Sequence, residues 1–417
     1  MQSIDSRIFT DSLAGILGET DARKALEAMH AEPSVAVRLN PFKPTATELP
    51  ILKGSAQVPW SPYGHILAER PVFTLHPLFH AGAYYVQDSS AMFVGHLFRH
   101  LLVRFDRRPL RVLDLCAAPG GKTTDLAASL REACGDDFIL VSNEVMRQRA
   151  SILSDNVAVW GDPNVVVTSC DPGAFAAFEG FFDIIVADVP CSGEGMFRKD
   201  AKAVEDWSPD TVALCASRQR RIVGDVWPAL RDGGALIYST CTFEPAENDD
   251  NLEWAASSLG GVIVPPDGCF GLRTTRHGHL LVPGEVPGEG QWAGALIKTG
   301  GLPAVASSVQ SSMTALGRLR PLRAGVRKGE TKGRDFVPDP DWALSIGFDR
   351  GAYPEAEVDK LTALKFLHRD TISLPDAPLG YNVITYRGLP LGFVKNLGSR
   401  CNNLHPQARR IRMDIRL

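Results

Sequence analysis

The sequence lacks any apolar run near the roughly 18 residues that a membrane-spanning helix requires, and it contains no internal repeat or low-complexity tract. Its opening stretch, MQSIDSRIFTDSLAG, has neither the basic start nor the apolar core of a secretory signal. The eight cysteines form no CxxC pair and no Cys/His cluster at zinc spacing. We therefore expect a cytoplasmic monomer without a disulfide framework, a metal or a membrane partner.

The composition is that of an ordinary folded protein, but its charge is unevenly spread. The 417 residues are 44% hydrophobic and 22% charged, which is enough chain for two or three domains with buried cores. Residues 301–417 contain 18 Lys and Arg against 11 Asp and Glu, so this part carries +7 and leaves −11 for residues 1–300. The asymmetry indicates a polyanion-binding C-terminal part, although a merely solvated basic surface explains the charge equally well.

Short apolar runs rich in β-branched residues alternate with helical stretches from about residue 110 onward. The runs are RVLDLCA, FILVSNEV, VVVTSCD, FDIIVADV and GALIYSTC. Continuous apolar strands between amphipathic helices predict a parallel sheet covered on both faces, which is a doubly wound α/β fold. We divide the chain into an N-terminal extension (1–75), the α/β domain (76–300), a linker or small unassigned module (301–340) and a small β-rich domain (341–417).

The segment DLCAAPGGKTTDLA follows the first strand and indicates a ligand site. Gly120 and Gly121 let the backbone approach a ligand, and the next helix turns its free N–H groups toward it. The segment is neither GxGxxG nor GxxxxGK[ST], so it offers no dedicated cradle for a diphosphate or triphosphate. Glu144, Asp171 and Asp188 end the next three strands, where carboxylates suit ribose hydroxyls, an adenine edge and a cationic sulfonium. The alternative is a simple tight turn between strand and helix.

Four segments resemble successive motifs of the RNA cytosine-5 methyltransferases: DLCAAPGGKT, NEVMRQRASIL, ADVPCSGEG and YSTCTFEPAEND. The resemblance covers roughly residues 35–300, and the segments RLNP, VPWSPYG and YYVQDSSAM resemble the bacterial 16S ribosomal RNA branch, the RsmF kind. The ending GYNVITYRGLPLGFVKNLGSRCNNLHPQARRIRM is similar to the PUA-like RNA-binding module of that branch. Residues 301–340 match no part of this pattern.

The resemblance implies a Rossmann-like methyltransferase sheet that binds S-adenosylmethionine, between an RNA-binding extension and a PUA-like domain. The catalytic residues that it implies are Cys241, Cys191 and Asp188. The cofactor-binding residues that it implies are Cys116, Ala117, Ala118, Pro119, Gly120, Gly121, Lys122, Glu144, Asp171 and Asp188. Lys122 is expected to contact either the target nucleotide or the cofactor carboxylate, and the alternative for Cys116 is simple packing beneath the loop.

Cys191 and Cys241 follow the fourth and fifth strands, which are neighbours in the methyltransferase strand order and therefore about 4.8 Å apart. Both thiols can thus reach one base. Carbon 5 of cytosine becomes nucleophilic when a thiolate adds to carbon 6, and a second group then assists release of the product. The residues alone leave either cysteine as the nucleophile. The RNA family implies that Cys241 attacks, that Cys191 assists release and that Asp188 hydrogen-bonds ring nitrogen 3.

The target base must leave its stack, so contacts outside the pocket have to offset the cost of unstacking. The groups expected to bind phosphates or stack on bases are Arg38, Asn40, Lys43, Trp60 and Tyr63 near the N-terminus, and Lys395, Arg400, Arg409 and Arg410 near the C-terminus. Because the basic charge is concentrated in the C-terminal domain, we expect that domain to dominate a salt-dependent affinity for RNA.

The sequence thus predicts methylation of carbon 5 of cytosine in ribosomal RNA, with 16S rRNA as the first choice of substrate. Transfer RNA is an alternative substrate, since the same catalytic core serves both RNAs. A non-catalytic RNA-binding assembly factor that retains the fold is an alternative from another class. His277 and His279 suggest a metal, but no carboxylate or cysteine is spaced to complete a site.

Overall fold

The structure, a computed structural model, describes residues 4–45, 49–106, 108–301 and 308–415. Within the linker expected at 301–340, residues 302–307 lie outside the described residues, as do the last two residues of the basic C-terminal segment. Across the described ranges, every helix is too short or too polar to span a lipid bilayer.

The N-terminal region begins with two helices and continues into a small antiparallel sheet, with a third, short helix before its last strand. Its helices are α1 (Arg7–Leu17), α2 (Glu19–His30) and α3 (Pro77–His80), and its strands are β1 (Ala36–Leu39), β2 (Ala56–Gln57), β3 (Gly64–Ile66) and β4 (Tyr84–Val86). The Ser6 side chain caps α1 by accepting a hydrogen bond from the N–H of Phe9. The strand order is β2-β3-β1-β4, so this sheet continues beyond the boundary expected at residue 75.

A long mixed sheet forms the centre of the molecule. Its strands are β5 (Leu110–Asp114), β6 (Phe138–Asn143), β7 (Val165–Thr168), β8 (Phe182–Asp188), β9 (Leu230–Thr240), β10 (Gly261–Val264), β11 (Arg273–Thr274), β12 (Gly278–Leu281) and β13 (Gln291–Lys298). Strands β7-β6-β5-β8-β9 are parallel neighbours in that order, and β13 adds antiparallel to β9. The predicted doubly wound α/β fold is confirmed.

Helices cover both faces of this sheet, which explains why its strands read as continuous apolar runs. They are α4 (Phe93–Leu102), α5 (Gly121–Cys134), α6 (Arg147–Trp160), α7 (Ala201–Asp206), α8 (Pro209–Val226) and α9 (Asp249–Leu259). Ile184 of β8 packs in one buried layer with Leu126 and Leu153, whereas the next residue, Ile185, packs in the other layer with Ile222. Alternate strand side chains therefore need apolar partners on opposite faces.

The segment 301–340, which the sequence left without a role, contains a helix, an edge strand and a hairpin. These elements are α10 (Val309–Leu316), β14 (Arg323–Ala324), β15 (Gly329–Lys332) and β16 (Asp335–Pro338). Strand β14 pairs antiparallel with β7 and so extends the central sheet. The segment therefore packs onto the α/β domain rather than merely spanning the distance to the next one.

The C-terminal domain is a four-stranded sheet with one helix. Its elements are β17 (Glu355–Glu357), α11 (Lys360–His368), β18 (Gly380–Tyr386), β19 (Leu389–Asn396) and β20 (Cys401–Asn403), and the strand order follows the chain order. Val37 and Tyr84 of the N-terminal sheet belong to the same buried cluster as Phe366, Leu367 and Ile384 of this domain. The two ends of the chain therefore share one hydrophobic core.

Candidate active site

The structure brings the two predicted thiols together at the carboxyl edge of the central sheet. Strands β8 and β9 are parallel neighbours with Asp188 opposite Ser239, so the loops that follow them begin side by side. Cys191 Sγ lies 3.1 Å from Cys241 Sγ. The N–H of Gly195, in the first loop, donates to the carbonyl of Cys241 at 2.7 Å, which joins the two loops directly.

Electrostatics distinguish the two sulfur atoms. The pKa of Cys191 is raised well above its ordinary value by its hydrogen bond to Cys241, by burial and by the negative charge that a Cys241 thiolate carries. The carboxyl groups of Glu247 and Glu194 raise the pKa further. A protonated Cys191 thiol can donate a hydrogen bond to the sulfur of Cys241.

Asp188 and Lys122 form an ion pair beside the thiols. Lys122 Nζ donates to Asp188 Oδ2 at 2.8 Å, while Ser239 Oγ and Gln291 Nε2 donate to Oδ1 at 2.7 and 3.1 Å. Burial alone would lower the pKa of Lys122, but the charge of Asp188, the hydrogen bond to it and the nearby Cys241 raise it. The pair thus places a fixed positive charge next to Cys241.

A buried polar network that the sequence analysis missed holds the Cys191 loop in place. Glu247 accepts hydrogen bonds from the N–H of Ser192 at 3.1 Å and from Gln219 Nε2 at 2.6 Å, and Ser192 Oγ also bonds to it. Gln219 Nε2 donates in addition to the carbonyl of Pro190, the residue before Cys191. Glu247 lies in the motif YSTCTFEPAEND, and its place in that motif is the sequence signal that could have identified it.

The second cysteine loop is held by the next residue of the same motif. Asn248 Nδ2 donates to the carbonyl of Thr242 at 2.9 Å, and Asn248 Oδ1 accepts from Thr240 Oγ1 at 2.5 Å. The two threonines flank Cys241, and all three polar residues are buried. The loop is therefore fixed on both sides of the thiol by one amide side chain.

The predicted glycine loop lies at the same edge of the sheet, after β5. Gly120 has a φ of +115°, which a residue with a side chain rarely adopts, and a Cβ there would lie 3.2 Å from Leu153. Helix α5 begins at the next residue, Gly121. Asn156 Nδ2 donates to the carbonyl of Pro119 at 2.7 Å, and Arg149 Nη2 donates to that of Ala118 at 3.0 Å. The loop is thus held by side chains of α6, and Gly120 itself is buried.

Carboxylates surround this loop, and the sequence analysis missed one of them. Asp114 at the end of β5 is buried, accepts from Thr123 Oγ1 at 2.6 Å and keeps its Oδ1 unpaired among the described residues. Burial raises its pKa to about 7. Glu144 is buried, accepts from the N–H of Met146 and pairs with Arg149 at 3.1 Å. Asp171 is exposed at the rim, where it caps a short helix.

Cys116 and Ala117 lie between these carboxylates and the glycine loop. Burial, followed by the charges of Asp188, Asp114 and Glu144, raises the pKa of Cys116 far above its ordinary value. A thiol in such surroundings stays protonated. This favours the packing role for Cys116 over a chemical one.

The expectation that the N-terminal polar residues contact RNA is wrong for most of them. Arg38 is fully buried and bonds to Gln87 and to Thr124 of α5, so it ties β1 to the methyltransferase sheet. Asn40, Lys43 and Trp60 are also buried and bond to backbone carbonyls, and burial lowers the pKa of Lys43 to about 7. Sequence alone could not reveal this, because their partners come from distant segments. Tyr63 is partly exposed and bonds to Glu132.

The four C-terminal cations divide into two exposed and two paired residues. Arg400 and Arg410 are exposed. Arg409 pairs with Asp341, and Lys395 pairs with Asp335 at 3.3 Å. Arg400 and Arg410 therefore remain the stronger candidates for contacts with a polyanion.

Three family models match this chain. The model described as 16S rRNA methyltransferase RsmB/F matches residues 106–259, the N-terminal domain of 16S rRNA methyltransferase RsmF matches 6–89, and the methyltransferase RsmF PUA domain matches 353–411. The middle match contains the glycine loop and both thiols. The N-terminal match ends after β4, in agreement with the observed extent of the small sheet.

Curated relatives match over most of their length. The ribosomal RNA small subunit methyltransferase F of Klebsiella pneumoniae (strain 342) is 30% identical over 384 residues, with 78% of each chain covered. The protein of the same name from Serratia proteamaculans (strain 568) is 29% identical over 386 residues, again with 78% of each chain covered.

Two solved structures from Pyrococcus horikoshii resemble the fold. A methyltransferase homolog protein is 25% identical with a TM-score of 0.58, covering 70% of this chain and 95% of its own. NSun6, solved with SFG, is 17% identical with a TM-score of 0.59, covering 72% of this chain and all of its own, and this likeness concerns the fold alone.

Proposed function

The chain belongs to the 16S rRNA methyltransferase RsmB/F family, and from that premise we propose that it methylates carbon 5 of a cytosine in small-subunit ribosomal RNA. The resemblance to this family drawn from the sequence motifs is confirmed. The observation that carries the proposal is the 3.1 Å separation of Cys191 Sγ and Cys241 Sγ at the ends of adjacent strands. An RNA substrate places the reaction in the cytoplasm.

The residues of the glycine loop fit S-adenosylmethionine, which supplies a methyl group on a cationic sulfonium. Gly120 and Gly121 leave the end of α5 open, and buried Glu144 is placed to accept hydrogen bonds from ribose hydroxyls. Asp114 has an unpaired carboxylate oxygen, and Asp171 lies at the rim. These carboxylates attract a cation and repel a phosphate, so the site suits a cationic ligand far better.

In the proposed mechanism the Cys241 thiolate adds to carbon 6 of the cytosine, and the displaced electron pair makes carbon 5 a nucleophile. Lys122 places a positive charge beside the thiolate before attack. Asp188, held by Lys122, Ser239 and Gln291, retains lone pairs that can accept a hydrogen bond from a protonated ring nitrogen 3.

Once carbon 5 carries the methyl group that the cofactor would supply, Cys191 removes the proton from carbon 5. The electron pair of that C–H bond re-forms the double bond between carbons 5 and 6, and Cys241 leaves as a thiolate. The timing follows from the cause of the raised pKa of Cys191, since the first cause is the hydrogen bond to Cys241 and another is the charge on that sulfur. Both disappear when Cys241 becomes a thioether. Cys191 can therefore release its own proton to solvent and act as a base only after attack has occurred.

The test is a comparison of Cys241→Ala and Cys191→Ala on 16S rRNA and on small-subunit particles, with tritiated methyl transfer and a denaturing gel for covalent complexes. Cys241→Ala should abolish transfer and form no complex. Cys191→Ala should accumulate a denaturation-resistant enzyme–RNA complex. The matched control is Cys134→Ala, at the far end of α5, which should behave as wild type. Normal turnover by Cys241→Ala would overturn the assignment of roles.

Bisulfite sequencing of RNA from a strain that lacks the gene identifies the substrate. We expect a cytosine in 16S rRNA to lose its protection from bisulfite. If only transfer RNA loses protection, transfer RNA is the substrate instead of ribosomal RNA. If no RNA loses protection and the protein transfers no methyl group in vitro, the result favours the non-catalytic assembly factor.

A further inference from the structure

Outside the active site, the fold gathers four side chains of types that can bind a metal, three from one short stretch of chain and the fourth from a distant helix. Asp267 and Cys269 lie in the loop between β10 and β11, His279 lies on β12 and His96 lies on α4. The expectation that no carboxylate or cysteine accompanies His279 is wrong, because Asp267 and Cys269, 12 and 10 residues away, lie beside its ring, while His96 is 173 residues from Cys269 along the chain. We propose that Asp267, Cys269 and His279, with His96 as the fourth ligand, bind one structural zinc ion.

The distances between donor atoms fit a tetrahedral site. One donor atom each from Asp267, Cys269 and His279 lies within 4.8 Å of the others. Asp267 Oδ1 is 3.2 Å from His279 Nε2, and Cys269 Sγ is 4.0 Å from His279 Nε2 and 3.7 Å from His96 Nε2. With Zn–S near 2.3 Å and Zn–N or Zn–O near 2.0 Å, tetrahedral ligands would be about 3.3 to 3.6 Å apart. Asp267, Cys269 and His279 need only a small contraction to reach that geometry, whereas His96, which approaches the group at Cys269, has to move further toward the other two ligands.

The donor chemistry favours zinc over the other common divalent ions. One thiolate, two imidazoles and one carboxylate form a borderline-soft set, unlike the all-oxygen sets of magnesium and calcium. A thiolate on Cys269 and a carboxylate on Asp267 together balance the two charges of the ion, so the half-buried site would be electrically neutral.

Aromatic side chains hold the two imidazoles in position. The Phe93 ring stacks on His96 at 5.4 Å and 28°, and its edge contacts His279 at 5.0 Å. Phe270, which follows Cys269 and has a positive φ of 57°, packs its ring 4.9 Å from His96. A second set of residues that orients the ligands is what metal sites require.

The site would add a link between parts of the fold that already pack together through aromatic side chains. It links α4, on one face of the central sheet, to the loop and hairpin that build the sheet edge beyond β13. A surface cleft lined by Asp267, His279 and His100 offers a path for the ion. Its role is therefore structural: zinc would fasten the sheet edge to α4, as structural sites with four protein ligands do.

The experiment measures zinc in full-length protein purified without a metal-affinity tag and dialysed against metal-free buffer, and measures thermal stability after a strong chelator has stripped the ion. Every variant carries Cys241→Ser, because the adjacent thiols of Cys191 and Cys241 could themselves capture a metal. We expect one zinc per chain in this parent and in the added control Cys134→Ser, and a loss of zinc on adding Cys269→Ser or Asp267→Asn. The parent should also gain thermal stability when zinc is returned to it.

Replacement by cobalt supplies a readout that folding defects cannot imitate. Cobalt bound by Cys269 should give a thiolate charge-transfer absorption that Cys269→Ser removes and Cys134→Ser retains. Asp267→Asn alters a half-exposed carboxylate, so it should fold as the parent does while binding zinc more weakly. A parent protein that holds no zinc, shows no cobalt–thiolate absorption and gains no stability from zinc would overturn the proposal.

Discussion

The reactive pair at the centre of this protein is made of two chemically identical side chains with different environments. Cys191 is enclosed with the carboxyl groups of Glu194 and Glu247, whereas Cys241 lies near the ammonium group of Lys122. In the proposed mechanism, these surroundings distinguish the proton holder, Cys191, from the nucleophile, Cys241. The sequence motifs located both thiols, but only the structure displays the charges that distinguish them.

Glu194 provides a test of this electrostatic environment through stability. Burial raises its pKa from 4.5 to about 7, so between these values the unfolded chain releases a proton that the folded chain keeps. Stability should therefore fall as the pH rises through this window, by up to about 3 kcal/mol. The Glu194→Gln variant lacks this titration. The free energy of unfolding of the variant minus that of wild type should therefore increase by up to about 3 kcal/mol between about pH 4.5 and pH 7.5.

The measurement is urea unfolding of wild type and Glu194→Gln at several pH values. Taking the difference between the two proteins cancels other titrating groups, such as Asp114, which also has a pKa raised to about 7. Trp207 Nε1 can still donate to the amide oxygen of a glutamine. A difference in stability that does not change with pH would contradict the prediction.

At the scale of elements, the site depends on two loops that follow neighbouring strands. Glu247 accepts from Ser192 and Gln219, and these donors position the loop of Cys191. Glu247→Gln would set an amide N–H₂ group against these donors, and hydrogen bonds to a charged group contribute about 1.5 to 3 kcal/mol. We expect the rate of methyl transfer at saturating RNA to fall roughly 10- to 100-fold.

Single-turnover methyl transfer measures this effect, and circular dichroism reports whether the variant is folded. The matched control is Glu253→Gln on α9, whose side chain is about half exposed and pairs only at the surface with Arg276 and His277. Equal rates for Glu247→Gln and wild type would show that the loops hold their positions without this carboxylate.

How far the sequence predicted these elements depended on how much local pattern each one carries. The long apolar runs predicted β5, β6, β7, β8 and β9 as strands of a parallel sheet, because burial on both faces leaves an unbroken hydrophobic signal. Strand β14 has two residues and no pattern of its own, so it could not be found. Arg38 was misinterpreted because a buried guanidinium and a phosphate-binding one have the same sequence signature.

At the scale of the whole molecule, the net charge conceals an uneven distribution of charge between the two parts of the chain. The C-terminal part carries the positive excess, and Arg400 and Arg410 are its exposed candidates for phosphate contacts. Replacing both with Gln should weaken RNA binding and reduce the slope of log affinity against log salt by about 2. Fluorescence anisotropy with a 16S rRNA fragment at several salt concentrations measures the slope.

Arg7→Gln is the control for this pair, since Arg7 is highly exposed on α1 and its removal should leave the slope unchanged. An unchanged slope for the double variant would place the RNA-binding surface elsewhere.

The hydrophobic core shared by the two ends of the chain has a consequence for synthesis on the ribosome. The sheet that contains Val37 and Tyr84 is translated early, yet the side chains that cover it, such as Phe366 and Ile384, emerge near the end. Throughout elongation that apolar surface remains exposed to solvent, where it can bind chaperones or aggregate. The N-terminal region, which is translated first, can therefore complete its folding only after the C-terminal domain has been translated.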